Sequence, residues 1–351
     1  MSKKCYNYNN VQNYNYYYSF FYGGISMNTK TFKGTLIFGM ATGIGLMSQI
    51  IPDFNSLTIA IIEKILKIES PSISPELSLI IGFLLFIVCL GAYIYEYKYM
   101  KSKTRIINIW GFENNEYWEN NNTNVISINV CDFEKNNNKN NYINRKIKEV
   151  KQDITKYIAT GFSFSSIAPI PLVSIIGRQF SKIKMIEYYE YINSSSTMST
   201  LNNKFFFPKL KLNKCNNNSI KDYGLITVST TVDIKSHQLK QFKGGLQYKN
   251  YIISPKENSI FSKKQLFNYC HKIIEQINEM SSNEKIKRIY LIFASQSSLP
   301  FEVSKQINDR IAKEIVVCHY DSKSDKPYKW GIIITGKNAG KYIELGDDIN
   351  E

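Results

Sequence analysis

The sequence lacks the motifs that mark most soluble enzymes. Its six cysteines form no CxxC pair, and its three histidines include no HExxH site. His271 and Glu275 lie four residues apart, a spacing that a surface pair explains. There is no GxSxG elbow and no nucleophile with an evident base. We therefore predict reduced thiols in a cytosolic setting, no metal, no cofactor and no catalytic residues.

Acidic residues are also scarce. The chain has 29 Asp and Glu against 44 Lys and Arg, a formal net charge of +15. Such a balance favours a polyanionic partner, an anionic membrane surface, or both. Asn, Tyr, Ile and Lys are abundant throughout, a bias that genome composition alone also produces. The length of 351 residues leaves room for two domains, or for one domain and a membrane region.

Residues 1–33 open with an Asn- and Tyr-rich run that is too polar and repetitive to bury a face, so we predict a disordered segment. Met27 precedes a polar stretch and then an apolar run, as at the N-terminus of many membrane proteins. We expect residues 1–26 to be an extended start with no role of their own.

Two uncharged runs follow and predict a transmembrane hairpin over residues 34–96. Gly34–Ile51 has 18 residues and Leu77–Tyr95 has 19, enough to cross a hydrocarbon core of about 30 Å. A soluble core helix or a signal peptide would explain the first run alone. Two such runs 25 residues apart favour the hairpin. Ser56–Glu69 between them predicts a short amphipathic helix on the outer membrane surface.

The flanking charges predict the orientation and the role of this hairpin. Lysines precede the first run and follow the second, whereas acids dominate the connection, so both termini are expected in the cytoplasm. Gly39-x-x-x-Gly43 provides a close-packing face, towards either the second span or another copy. Neither run carries an internal acid or base, which argues against a transporter. We interpret the hairpin as an anchor, or as an element that damages the membrane when many copies gather.

The remainder, residues 104–351, predicts an α/β domain. Ile289–Phe293 is a strand, Ser295–Pro300 a turn, and Phe301, Val303 and Ile307 recur at helical spacing before a second strand at Ile315–Cys318. In such a unit ligands bind at the carboxyl ends of the strands. With Ser298 as N-cap and Pro300 at the helix start, the loop suits a phosphate, although the serines equally serve as caps alone. The loop has neither the GxGxxG nor the GxxxxGK[ST] spacing, so a dinucleotide cofactor or NTP hydrolysis is not indicated.

This unit has a weak internal counterpart 129 residues earlier. The offset aligns Phe164 with Phe293 and Pro171 with Pro300. Val125–Val130, a helix at Asn144–Ala159, Phe162–Ile167, a helix at Pro171–Phe180 and Ile183–Tyr189 make up the first copy. Ile226–Val232 and a helix at Lys263–Met280 open the second. Two fused Rossmann-like halves would form a pseudo-twofold pocket, although chance similarity between two ordinary units stays open.

Candidate ligand residues follow from these positions. Hydroxyl and amide groups at strand ends are expected to meet phosphates, aromatic rings to stack on bases, and basic groups on the following helices to neutralise charge. The phosphate set is Ser295, Gln296, Ser298, Ser165, Ser166, Thr230 and Thr231; the aromatic set is Phe293, Tyr320 and Trp330; the basic pair is Arg178 and Lys305. For the aromatic rings a place in the core, and for the basic pair a solvated helix face, are the alternatives.

LIFASQSSLPFEVSKQIN at 291–308, IVVCHYD at 315–321 and YKWGIII at 328–334 resemble the end of a SAVED domain. The resemblance covers about residues 104–351. It implies two fused CARF-like halves that sense a cyclic di- or trinucleotide in a bacterial antiphage system, CBASS. It further implies homo-oligomerisation on ligand binding and disruption of the inner membrane through the hairpin, without catalysis and without duplex DNA or RNA. The alternatives are a membrane effector of type III CRISPR activated by cyclic oligoadenylate, a ring nuclease that degrades the same ligand, and a tethered scaffold with a degenerate pocket.

Overall fold

In the computed structural model the chain divides into two compact units, residues 1–102 and 103–351. We describe each unit separately. The structure describes residues 17–19, 26–28, 39–40, 75–112, 124–158, 161–192, 197–215, 221–242, 245–252, 259–308, 311, 313–321 and 326–346.

The first unit contains a short hairpin and a long helix. Strands β1 (Tyr17–Ser19) and β2 (Ser26–Asn28) pair antiparallel. They lie in the segment predicted to be disordered, the rest of which is outside the described residues. Helix α1 (Pro75–Lys103) has 29 residues and contains the whole second apolar run.

Helix α1 carries large apolar side chains that are open to solvent, among them Leu84, which is 57% exposed, and Val88, which is 66% exposed. Among the residues that the structure describes, no helix meets the length and hydropathy expected of a membrane span. The first apolar run and the Ser56–Glu69 helix lie outside the described residues, except for Gly39 and Met40, which are helical. A Cβ placed on Gly39 would lie 2.6 Å from Cys89 Sγ of α1, so this glycine packs closely against the second run of its own chain.

The second unit begins with a five-stranded sheet. Its elements are β3 (Arg105–Trp110), β4 (Val125–Asn129), α2 (Lys139–Tyr157), β5 (Phe162–Ile167), α3 (Ile170–Gln179), β6 (Met185–Ile192) and β7 (Thr197–Thr200). The strand order is β4-β3-β5-β6-β7, and all neighbours are parallel except β6 and β7. Helix α2 begins five residues earlier than predicted because the Asn138 side chain caps it, accepting a hydrogen bond from Asn141 N at 3.0 Å.

A seven-stranded sheet follows. Its elements are β8 (Lys211–Cys215), β9 (Lys221–Ser229), β10 (Gly245–Ile252), α4 (Lys263–Ser282), β11 (Arg288–Ala294), α5 (Ser298–Gln306), β12 (Glu314–Cys318), β13 (Trp330–Ile333) and β14 (Tyr342–Glu344). The order is β14-β13-β12-β11-β9-β10-β8, with a parallel centre of β12, β11, β9 and β10. A 3-10 helix, Ser236–Phe242, connects β9 to β10.

The two halves share one topology. Strands β4-β3-β5-β6 of the first half and β10-β9-β11-β12 of the second follow the same order and the same connections, and each ends in an antiparallel strand. The offset of 129 residues superimposes β5 on β11, α3 on α5 and β6 on β12. The predicted internal repeat is therefore confirmed at the level of topology.

The halves meet through α3 and α5. The rings of Phe164 and Phe301 stack with centroids 3.9 Å apart, and both side chains are fully buried in one apolar cluster that draws on both sheets. Gly177 allows the approach, since a Cβ there would lie 2.7 Å from Phe301 O. Burial of each such ring contributes roughly 1.5–3 kcal/mol, so this contact holds the halves in register.

Candidate ligand-binding site

A crevice opens at the carboxyl ends of β9, β11 and β12, where the α/β topology predicts ligands to bind. It is lined by Ile234, Gln238, Phe293, Ala294, Tyr320 and Tyr328 among others. Its free interior is about 10 Å³, roughly the room that one water molecule needs, so in this form the crevice is closed to a whole base. Two of the predicted aromatic residues, Phe293 and Tyr320, are part of the lining.

The crevice has an apolar, aromatic wall with one oriented amide. Gln238 Nε2 donates a hydrogen bond to Tyr320 Oη at 2.8 Å, and the rings of Tyr320 and Tyr328 lie 5.7 Å apart. None of the described lining residues is Lys or Arg, and Asp233 at the mouth is exposed. A neutral aromatic base suits this wall better than a phosphate does.

Thr230 and Thr231 form the edge of the crevice beside β11. Strand β9 ends at Ser229, earlier than the predicted Val232, because Ser229 Oγ accepts from Ile234 N at 3.1 Å and the chain turns. The backbone N–H groups of Thr230 and Thr231 both donate to Ala294 O, at 2.9 and 3.0 Å. This places the backbone of both threonines against the end of β11, just beyond β9 rather than within it, and their contact with a ligand stays a prediction.

The start of α5 is occupied by a carboxylate of the chain itself. Ser298 N donates to Glu190 Oε1 of β6 at 2.8 Å. The predicted N-cap at Ser298 is corrected to Ser297, whose side chain makes no capping bond. Glu190 is only 5% exposed, and burial raises its pKa to about 7, while the hydrogen bond from Ser298 acts in the opposite direction. An acid thus satisfies the N–H that the sequence assigned to a phosphate.

The rest of the Ser-rich loop is tied to a neighbouring segment. Gln296 Oε1 accepts from Ile260 N at 2.6 Å, and Gln296 Nε2 donates to Ile260 O at 3.1 Å. Ser295 is half-buried, and its Oγ donates to Gln296 O at 3.3 Å. The Gln296 amide therefore fixes the loop rather than offering free hydrogen-bonding groups.

Two predicted ligand residues carry buried hydroxyls without a hydrogen-bond partner: Ser166 and Thr230. Each is 2% exposed or less. The hydroxyl of Ser298 is also buried, but it lies beside Glu190, where it helps to hold down the pKa of that carboxyl. A buried hydroxyl without a partner costs roughly 1–3 kcal/mol. Ser166 is the last residue but one of β5 in the first half, and Thr230 follows β9 in the second.

Arg178 and Lys305 are committed to packing, so their assignment as phosphate ligands is corrected. Arg178 Nη1 donates to Ser304 O at 3.0 Å and Ile307 O at 2.5 Å, capping the C-terminus of α5. Lys305 is buried and lies 2.9 Å from Glu302 Oε1. The role of Arg178 was not recognisable, because its partners are set by the contact between the two halves. Lys305 pairs with Glu302 on its own helix, a spacing of three residues that the sequence does show, but the burial of that pair is set by the packing of the halves.

Glu302 anchors a buried network across that contact. It accepts from Tyr188 Oη of β6 at 2.5 Å and from Gln306 Nε2 at 2.6 Å, in addition to Lys305. Burial, with the nearby Glu302, raises the pKa of Tyr188. Glu302 and Glu190 both went unrecognised; their only signal in sequence is an acid inside an otherwise buried run.

Two further assignments are relocated by the structure. Trp330 is a core residue that stacks on His319 with centroids 4.6 Å apart and contacts Phe133 of the first half at 5.1 Å. Ser165 faces the other side of its sheet from Ser166 and donates to Met198 Sδ at 3.7 Å. In the described part of the chain no three His, Cys, Asp or Glu side chains come together as a metal site.

The comparisons with known proteins agree with this fold. A family model described as "SMODS-associated and fused to various effectors sensor domain" matches residues 143–334, more than half of the chain. The chain belongs to the SAVED family. No curated protein matches the SAVED chain in sequence.

Three similar solved structures are Cap4 SAVED/CARF-domain containing receptors. The Acinetobacter baumannii receptor with the cyclic trinucleotide 2'3'3'-cAAA shows 12% identity and a TM-score of 0.47, over 82% of this chain and 66% of that one. The same receptor with 3'3'3'-cAAA shows 13% identity and 0.47, over 81% and 66%. The Moraxella osloensis receptor shows 13% identity and 0.40, over 84% and 64%. The SAVED chain thus spans less than two thirds of the length of these receptors.

Proposed function

We propose that this protein is a membrane-anchored effector of antiphage defence whose SAVED domain binds a cyclic oligonucleotide. The observation that carries the proposal is the SAVED match over two topologically equivalent halves, with unpartnered buried hydroxyls at the strand ends of both. A ligand with several equivalent phosphates and bases suits two such half-sites better than a mononucleotide does. The expected ligand is a cyclic di- or trinucleotide.

In this proposal the crevice takes a base and the neighbouring hydroxyls meet the phosphates. Tyr320 and Phe293 supply aromatic surface. Gln238 Oε1 accepts from Lys235 N and Gln238 Nε2 donates to Tyr320 Oη, which leaves the second N–H of this amide for a base edge. Thr230 and Ser298 lie at the adjoining loop ends, where a phosphate would take up the unpartnered hydroxyl of Thr230 and displace Glu190 from Ser298. The small volume of the crevice implies that the loops separate when a whole ring enters.

The membrane part of the proposal rests on residues 34–96. The exposed apolar side chains of α1 are unsuited to water, and the approach of Gly39 to Cys89 supports packing of the two runs within one chain. We propose a double-pass anchor in the bacterial inner membrane with both termini in the cytoplasm. Ligand binding would assemble the SAVED domains, and the clustered hairpins would disrupt the bilayer.

The test uses the full chain reconstituted in dye-filled liposomes. Addition of a cyclic trinucleotide such as 3'3'3'-cAAA, or of a cyclic dinucleotide, is expected to release the dye, whereas linear oligoadenylate is not. Chromatography after incubation should recover the ligand intact, because the proposal includes no catalysis. Absence of leakage with every cyclic ligand rejects the effector role, and cleavage of the ligand would instead indicate a ring nuclease.

A further inference from the structure

A loop between β7 and β8 presents two phenyl rings to solvent. Phe206 is 93% exposed and Phe205 68% exposed, while Phe207 beside them is half-buried against Tyr269, with ring centroids 6.3 Å apart. A phenyl ring that is left in water forgoes the gain from burial, and two in succession form an apolar surface with no cover within the described residues.

The loop is held in place at both ends, so the exposed rings are presented rather than loose. At its start, Asn202 N donates to Phe261 O at 2.9 Å, and Asn202 Oδ1 accepts from Lys204 N at 2.9 Å. At its end, Pro208 O accepts from Tyr269 Oη at 2.6 Å. Because the loop is already ordered, moving the two phenyl rings out of water costs little further conformational entropy.

The surroundings of the rings are basic. Residues 197–213 contain three lysines and no acid: Lys204, Lys209 and Lys211. Lys264 Nζ of α4 lies 3.1 Å from the centroid of the Phe205 ring. The nearby acid Glu187 is already paired with Lys263 at 2.6 Å, and Glu275 of α4 lies three turns beyond Lys264.

We propose that this aromatic–basic loop, residues 202–209, is a peripheral contact with an anionic phospholipid surface. Phenyl rings enter the boundary between headgroups and acyl chains, while lysines pair with headgroup phosphates. The loop has two amides, Asn202 and Asn203, and Asn202 Oδ1 already accepts from Lys204 N, so little is left to read base edges and a lipid surface is a better fit than a nucleic acid. The contact is distinct from the proposed hairpin and from the ligand crevice.

The test follows the fluorescence emission of a single introduced indole, F206W, in the full chain. The protein is mixed with vesicles of phosphatidylcholine alone or of phosphatidylcholine with about 30% phosphatidylglycerol, which makes the surface anionic. The wild-type signal, which comes from Trp110, Trp118 and Trp330, is subtracted. On anionic vesicles the F206W emission is expected to shift to the blue and to be quenched by brominated lipid. Both effects should weaken at least about tenfold in F206W/K204E/K209E/K264E and in high salt.

Unchanged, water-like emission of the F206W indole on anionic vesicles overturns the proposal. So does a shift that appears without lipid and depends on protein concentration, which would indicate contact between copies, or a shift caused by single-stranded RNA instead of lipid. Because no cyclic nucleotide is added, failure here leaves ligand sensing untouched, and failure of ligand sensing leaves this result untouched.

Discussion

Glu190 gives the sharpest test of the structure, because replacing it with glutamine removes one charge and keeps the shape. The Glu190→Gln amide oxygen can still accept from Ser298 N at the start of α5. Only the ionisation is lost. The stability of the wild type should therefore fall relative to that of the variant as pH rises over the range in which Glu190 titrates.

The magnitude follows from the two pKa values. Burial raises the pKa of Glu190 from 4.5 to about 7 in the folded protein. Below pH 4.5 the carboxyl is protonated in both states, and above pH 7 it is ionised in both. Between them the folded state holds a proton that the unfolded state releases, so the free energy of unfolding falls by about 1.4 kcal/mol per pH unit as pH rises. From pH 5 to pH 8 the wild type should lose about 2–3 kcal/mol relative to E190Q.

Urea unfolding of the full chain in detergent micelles, followed by tryptophan fluorescence, measures this difference. Burial lowers the pKa of His319, but His319 titrates in both proteins and its effect cancels. Glu344→Gln, at an exposed acid, is the matched control and should follow the wild type. If the wild-type and E190Q curves run parallel from pH 5 to pH 8, Glu190 is not the buried acid described here.

Three further changes probe the packing of the halves and the site. Gly177→Ala should destabilise the protein by roughly 1–3 kcal/mol in urea unfolding, because the new Cβ meets Phe301 O, even though alanine favours a helix. Gly91→Ala, whose Cβ would lie in open space, is the control and should not destabilise the protein. Equal effects of the two changes would contradict the close packing at Gly177. Lys305→Met should lower the free energy of unfolding by roughly 3–5 kcal/mol, because Glu302 stays buried without its cation. The double variant with Glu302→Met should regain most of that stability. A loss under about 1 kcal/mol for Lys305→Met would contradict the network. Ligand affinity should rise as pH falls through about 7, when Glu190 becomes neutral and no longer competes with a phosphate; calorimetry showing no such rise would separate Glu190 from the site.

The sequence allowed the framework of the SAVED domain to be predicted. Strand β11, the start of α4 and the strand–helix–strand order were legible because Ile289, Leu291 and Phe293 belong to a run buried on both faces, and α4 follows a helical apolar period. The internal repeat was legible only near Pro171 and Pro300, since elsewhere the halves share topology but few residues.

The chemistry of the site was less predictable, because it depends on contacts between distant residues. Glu190 reaches Ser298 across 108 positions, and Arg178 reaches Ile307 across 129. Strand spacing shows which residues end a strand but not what faces them once two halves pack together. The predicted hydroxyls lie in or next to the ends of strands and helices, and their role stays a prediction, whereas Arg178 and Lys305, which looked suited to phosphate, are paired inside the fold.

Binding of a cyclic oligonucleotide to the SAVED domain is the central claim, and isothermal titration calorimetry on the full chain in detergent tests it most directly. Wild-type protein should bind at least one cyclic di- or trinucleotide saturably. Ser298→Ala should weaken that binding about tenfold, which corresponds to about 1.4 kcal/mol. Ser304→Ala, which removes a buried hydroxyl from the same helix away from the loop, should not weaken binding. Absence of saturable binding to every cyclic di- and trinucleotide, or equal loss in both variants, would contradict the account.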